Sequence, residues 1–239
     1  MHFDRRQFVW TLSAGLSASL WPRLLQAGED GAPEAARSLY ERYQGLKVPS
    51  GQGGGYGVNT SGDIEGPFYR KGAPFQTKLA GKGEAGKRLS VRGFVVKGPE
   101  CAPVPDAVLD VWQATAEGRY DNDDPNDPPA KDAFRLRGKV KTDAKGRFEF
   151  LTIWPGRYQI GRDRWRPAHL HLKVSAPGCE TLTTQLYFAG DPHNAKDPWF
   201  KASRALKPVE DKEHKLWIAT YEVVLTKTPG KPASRPAKK

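Results

Sequence analysis

The chain has 239 residues and carries 38 Lys and Arg against 27 Asp and Glu, a formal net charge of +11. Its 25 Gly and 20 Pro predict many turns, while an aromatic fraction of 10% can furnish the core of one β-rich domain with extras, or of two small domains. Part of the charge lies in the two termini, and no basic stripe interleaved with aromatics marks a nucleic-acid groove.

The N-terminus reads as a targeting signal. Asp4-Arg5-Arg6-Gln7-Phe8-Val9 precedes a short apolar run, Val9 to Leu20, that Ser and Gly interrupt. The run is too short to span a bilayer, and Arg5-Arg6 with Phe8 resembles a twin-arginine export motif. Residues 1–27 are therefore assigned to an export signal ending near Ala27, and the protein is expected to be periplasmic or secreted and not membrane-spanning. In an oxidising compartment Cys101 and Cys179 can pair or remain two small hydrophobes; spacing does not decide.

Residues 28–60 follow as a short helix, Pro33 to Leu46, and a glycine-rich link from Gly51 to Gly57. The link has no GxGxxG opening a helix, so it is not read as a phosphate cradle. Glu65-Gly66-Pro67-Phe68-Tyr69-Arg70 then forms a rigid turn with two aromatics. From Arg88 the pattern alternates with strand periodicity over Leu89 to Lys97, Ala107 to Gln113, Ala168 to Ser175, Thr181 to Phe188 and Leu216 to Leu225. Lys139 to Ile153 reads as a hairpin turning at Asp143-Ala144-Lys145-Gly146. The expected fold is all-β, a two-sheet sandwich over residues 61–226 with a short N-terminal helix and long loops. The acidic stretch Tyr120 to Pro129 lacks the glycine and terminal glutamate of an EF-hand and reads as a solvated loop. Residues 227–239, basic and proline-rich, read as a disordered tail.

The chemistry concentrates between Arg157 and His171. His169 and His171 alternate with Ala168, Leu170 and Leu172, which places both imidazoles on one face of one strand. Such a pair can grip one metal ion or simply face solvent. Asp163 could complete a ferrous facial triad, and His193 or another donor a zinc or copper site. Tyr120 and Tyr158 offer phenolates instead, hard donors suited to Fe(III), although buried tyrosines are usually structural.

Five motifs in register resemble one family. They are Glu65-Gly66-Pro67-Phe68-Tyr69; Pro103 to Ala114 with Gly118-Arg119-Tyr120; Asp143 to Phe148; Arg166-Pro167-Ala168-His169-Leu170-His171; and Leu182 to Phe188. Together they are similar to the intradiol ring-cleavage dioxygenases, which include protocatechuate 3,4-dioxygenase and catechol 1,2-dioxygenase. The resemblance implies a mononuclear non-haem Fe(III) held by Tyr120, Tyr158, His169 and His171. It implies a reaction in which O2 opens a catechol ring between its hydroxyls to give a muconate-type diacid. Tyr158 would accept a substrate proton, Arg166 would stabilise charge on the ring, and Gln185 would face the oxygen chemistry. Ile64 and Pro67 would touch the ring, and Arg157, with Arg162 and Arg164, would suit a carboxylate-bearing, protocatechuate-like substrate. The helical dimerisation region of the catechol-type enzymes has no counterpart in the sequence, so the chain looks more like a protocatechuate-type subunit; a homo-oligomer remains open. Asp106 departs from the family, which often has Gly there. The competing reading is a metal-free transthyretin-like sandwich, a binding or interaction module suggested by Thr142 to Phe150 and Pro155 to Tyr158.

Overall fold

The computed structural model describes residues 58–98 and 101–228. The expected export signal, the Pro33 helix, the glycine-rich link and nearly all of the basic tail lie outside these residues. Among the described residues no helix is long and apolar enough to cross a membrane.

Two five-stranded sheets face each other, as the alternating segments require. The first is built on β1 (Arg88–Lys97), flanked by β12 (Leu216–Leu225) on one side and by β5 (Arg147–Ile153) and β2 (Ala102–Pro103) on the other, with β11 (Val209–Asp211) outside β12. The second runs β10 (Ala205–Leu206), β9 (Leu182–Phe188), β8 (His169–Ser175), β3 (Val108–Gln113), β4 (Arg137–Lys141). A separate two-stranded ribbon pairs β6 (Tyr158–Gly161) with β7 (Arg164–Arg166). The core lies between the two large sheets. Leu89, Val91, Val95, Phe148, Phe150, Ala219 and Val223 from the first meet Leu109, Val111, Leu170, Leu172, Val174, Leu186 and Phe188 from the second. Fully burying side chains of this size contributes about 1.5–3 kcal/mol each before the entropy of ordering the chain is counted.

One expected element is corrected. Lys139 to Ile153 is not a hairpin, because β4 pairs with β3 and β5 pairs with β1, in opposite sheets. The turn itself forms locally. The Gly146 N–H donates to the Asp143 carbonyl at 2.9 Å, and the Asp143 N–H donates to the Arg147 carbonyl at 2.9 Å. Beyond it the apolar faces of both strands turn to the same core from opposite sides. The segment is thus an arch over the edge of the sandwich. At Asp106 the backbone is left-handed, with φ at 55°, a conformation in which glycine is unstrained. That accounts for the glycine expected there. Cys101 and Cys179 form no disulfide with each other.

Gly93 marks how closely the parallel strands β1 and β12 approach. It pairs with Tyr221, and a Cβ at position 93 would lie 1.7 Å from the Tyr221 carbonyl oxygen. Gly93→Ala should force the two strands apart. A loss of about 3 kcal/mol or more is expected in urea unfolding. An unchanged midpoint would show that the pairing tolerates the displacement.

Candidate metal centre and active site

The outer face of the second sheet builds the site. One cross-strand row runs Arg137 on β4, Trp112 on β3, His171 on β8 and Gln185 on β9. All four are 2% exposed or less, although the core lies on the opposite face. They are covered by the strap from residue 58 to 69 and by the loops that follow β3 and β5. Within the strap, a Cβ on Gly66 would lie 3.4 Å from Cε1 of His171. Asp63 ties the strap down: it accepts from the Tyr187 hydroxyl at 2.8 Å and pairs with buried Arg204. The Gln185 amide donates to the Ile64 carbonyl at 2.9 Å.

His169 and His171 fall on one face of β8, as the alternation predicts, with their Nε2 atoms 3.1 Å apart. His169 Nδ1 donates to the Pro167 carbonyl at 2.7 Å, so its Nε2 is left with the lone pair. Burial, helped by the Arg166 charge, pushes the His169 pKa down to about 3. Burial, and then the neighbouring His169 and Arg166, hold His171 well below its ordinary value. Both rings are therefore neutral ligands-in-waiting near pH 7. Trp112 stacks on the His171 ring, centroid distance 4.6 Å and interplanar angle 9°.

Two phenols close on these imidazoles. The Tyr120 hydroxyl lies 3.4 Å from His169 Nε2, and the Tyr120 and Tyr158 rings meet edge-on at 5.7 Å. Phe68 from the strap stacks on Tyr120 at 4.3 Å. Burial raises the pKa of both tyrosines, while the Arg166 charge works against the rise at Tyr158. The two phenol-bearing segments fit together because residue 118 is glycine: its φ is 83°, and a Cβ there would sit 2.1 Å from the Arg157 carbonyl oxygen. The stretch after Tyr120 is the exposed loop expected over residues 124–128, but Asp121 at its start is not solvated. Its side chain is 7% exposed and is gripped by Arg137 at 2.5 Å and Arg70 at 2.9 Å, which anchors the segment just after Tyr120.

Arg166 is the fixed cation of the site. It is 4% exposed, and its Nε donates to Asp197 at 2.7 Å. One Nη donates to Gln185 Oε1 at 2.6 Å. Its guanidinium packs over Trp199, centroid 4.6 Å, rather than over Trp165 at the surface. Arg157 stands apart. Its guanidinium is half-exposed and paired with Asp191 at 2.8 Å. Ile64 and Pro67 lie on the exposed side of the strap. Asp163 sits at the tip of the β6–β7 ribbon and His193 stacks on Trp165, so neither joins the histidine pair. Among the described residues no third His, Cys, Asp or Glu converges with His169 and His171 to hold a metal. What converges with them is phenol. Two neutral imidazoles with one buried and one half-buried phenol beside them are a donor set suited to a hard, highly charged cation.

The sequence reading did not assign roles to Trp112, Phe68, Asp197, Asp63 or Arg204. Trp112 and Phe68 were visible inside motifs, and strand alternation could have placed Trp112 beside the histidines. Asp197 and Arg204 lie in irregular chain where no periodicity announces them.

A family model described as dioxygenase matches residues 64–227. The chlorocatechol 1,2-dioxygenase of Rhodococcus opacus is 38% identical over 165 residues, 60% of this chain and 62% of its own length. The protocatechuate 3,4-dioxygenase beta chain of Burkholderia cepacia is 42% identical over 123 residues, 49% of this chain and 52% of its own. Those matches thus span between half and two thirds of these two relatives. Among solved structures, the dioxygenase domain of a dioxygenase carbohydrate-binding protein fusion from Streptomyces sp. SirexAA-E aligns with a TM-score of 0.61 and 33% identity, over 71% of this chain and 99% of that one.

The Arg166–Asp197 pair is nearly without solvent, its side chains 4% and 0% exposed. Asp197→Asn should leave the Arg166 charge buried and uncompensated, at a cost of about 3 kcal/mol in chemical unfolding. A variant as stable as the wild type would mean that Arg166 finds another counter-charge or that water enters.

Proposed function

The chain belongs to the intradiol ring-cleavage dioxygenase family, and we propose that it opens a catechol-type ring between its two hydroxyls with O2, yielding a muconate-type diacid. The observation that carries this reading is the convergence of Tyr120, Tyr158, His169 and His171 on one point without a carboxylate. These four residues would hold a mononuclear non-haem Fe(III). Bound there, the ion would supply Lewis acidity toward the catechol.

The chain's own groups then have distinct tasks. Tyr158 is less buried than Tyr120 and lies beside Arg166. It is placed to accept one proton from the entering catechol. Arg166, clamped by Asp197, keeps its positive charge at the ring without having to reorganise, and so stabilises negative charge that develops on a ring carbon. Both ends of the Gln185 amide are engaged, the oxygen by Arg166 and the nitrogen by Ile64. Gln185 therefore acts through Arg166 and the strap, as a positioning residue. Ile64 and Pro67 form the rim that the ring passes. Phe68, Tyr69 and Trp112 keep bulk water from the phenols and imidazoles. A protocatechuate-like, carboxylate-bearing catechol is the favoured substrate, in keeping with the excess of cations on the ribbon and with the kind of relative that the Burkholderia chain represents. Export by the twin-arginine route, proposed from Arg5-Arg6, would place this chemistry outside the cytoplasm.

The decisive experiment is the visible spectrum of the full chain loaded with Fe(III), recorded anaerobically with and without catechol. A tyrosinate-to-iron charge-transfer band that shifts on adding catechol, followed by oxygen uptake in air, is expected. Tyr120→Phe should weaken iron binding by about tenfold or more and abolish uptake. Iron binding and cleavage that both survive the change would end the phenolate assignment.

A further inference from the structure

The row of the second sheet next to the site row has no task in the reading above. It runs Lys139 on β4, Asp110 on β3, Lys173 on β8 and Thr183 on β9. The strap is fastened to it at two points. The Tyr69 hydroxyl donates to Asp110 Oδ2 at 3.1 Å, and Lys173 Nζ donates to Glu65 at 2.6 Å. A turn at Pro67-Phe68 brings the two points together, so that Lys173 Nζ also lies over the Tyr69 ring, 4.6 Å from its centroid. The two fastenings differ in strength. The Lys173 and Glu65 side chains are 33% and 40% exposed, so water screens most of their attraction. Asp110 is 7% exposed. Burial raises its pKa, while the Tyr69 hydroxyl, Lys139, Arg137 and Lys173 favour the carboxylate. Burial, and then the Asp110 charge, push the Tyr69 pKa up to about 12, so the phenol keeps its proton and donates it. A hydroxyl bonded to a shielded carboxylate makes the stronger kind of hydrogen bond.

Tyr69 also reaches the site row. Its ring packs on Trp112, centroids 4.9 Å apart, and Trp112 lies flat on His171. Its chain neighbours touch the other ligand segment. Phe68 stacks on Tyr120, and Arg70 holds Asp121, the residue after Tyr120, at 2.9 Å. We propose that Tyr69 is a positioning residue of the centre: its hydroxyl, held by Asp110, fixes where the strap rests and through it the poses of Tyr120 and His171. The role rests on the ring-cleavage reading. A phenylalanine ring would cover Trp112 equally well, and only the hydroxyl marks a place along the polar row. The place matters because the strap backbone at Gly66 runs close against His171, so a slipped strap either crowds that ring or uncovers it.

The test uses three variants of the full chain. Tyr69→Phe removes the hydroxyl and keeps the ring. Asp110→Asn keeps an acceptor for the hydroxyl, and Asp110→Ala does not. In the metal-free protein, hydrogen exchange at the strap amides between residues 63 and 70 should be about tenfold faster in Tyr69→Phe and in Asp110→Ala. In Asp110→Asn it should stay within about threefold of the wild type, and β8 should be unchanged in all three. Loaded with Fe(III), Tyr69→Phe should bind the ion at wild-type stoichiometry and shift the tyrosinate-to-iron band. It should lower kcat with catechol about tenfold at an unaltered KM, and Asp110→Asn should match the wild type in both. Unchanged strap exchange in Tyr69→Phe, faster exchange that spreads through β8, or a band and kcat that stay put while the strap loosens would each overturn the proposal. A wild type that shows the band and takes up oxygen, with Tyr69→Phe indistinguishable from it, discards the positioning role and keeps the ring cleavage. A wild type without the band discards the ring cleavage, and with it the role of Tyr69 at the centre, whatever the strap exchange shows.

Discussion

The spacing of hydrogen-bonded strands is the constraint on which the site depends. Neighbouring strands lie about 4.8 Å apart, so residues in one row of a sheet must touch. The row Arg137, Trp112, His171, Gln185 uses that necessity at every step. Arg137 grips Asp121 and so fixes the chain next to Tyr120. Trp112 lies flat on His171. Gln185 holds Arg166, which Asp197 neutralises. No member of the row needs a flexible loop to reach its neighbour. Backbone pairing alone sets the spacing of groups that would have to work at atomic distances.

Placing this chemistry on the outer face of a sheet has a cost and a use. Outer faces of sandwiches normally meet water, and polar side chains there are screened. Here the strap and the loops after β3 and β5 roof the face, so Arg166 acts through a medium of low dielectric. The same roof keeps both imidazoles neutral and both phenols protonated in the absence of a cation. A buried ion pair such as Arg166–Asp197 is weak evidence for stability, because desolvating both charges offsets most of their attraction. Its value is that the guanidinium cannot swing away.

Much of this was legible in the sequence, for identifiable reasons. Five of the strands announced themselves by alternation and two more by the turn between them, and both faces of β8 could be read from Leu170 and Leu172 against His169 and His171. Pairing was less legible. The Asp143 turn has the local chemistry of a hairpin, and only the non-local competition of β1 for β5 and of β3 for β4 makes it an arch. Asp121 looked like one acid among several because its partners, Arg70 and Arg137, are distant in sequence. The tyrosines could be named as ligands only by family resemblance, since an isolated Tyr carries no spacing signal. The metal-free sandwich reading rested on strands that the dioxygenase match now includes.

The parallel pairing of β1 with β12 carries a consequence for how the chain is made. The register runs from Leu89↔Trp217 to Lys97↔Leu225, so the centre of the first sheet is completed by the last of the described strands. Closing a loop of that size early costs more entropy than a few contacts return. Until β12 leaves the ribosome, one long edge of β1 stands bare and the core side of the second sheet has only part of its cover. The pairing that completes the first sheet therefore joins segments more than a hundred residues apart, the kind of non-local contact that forms slowly.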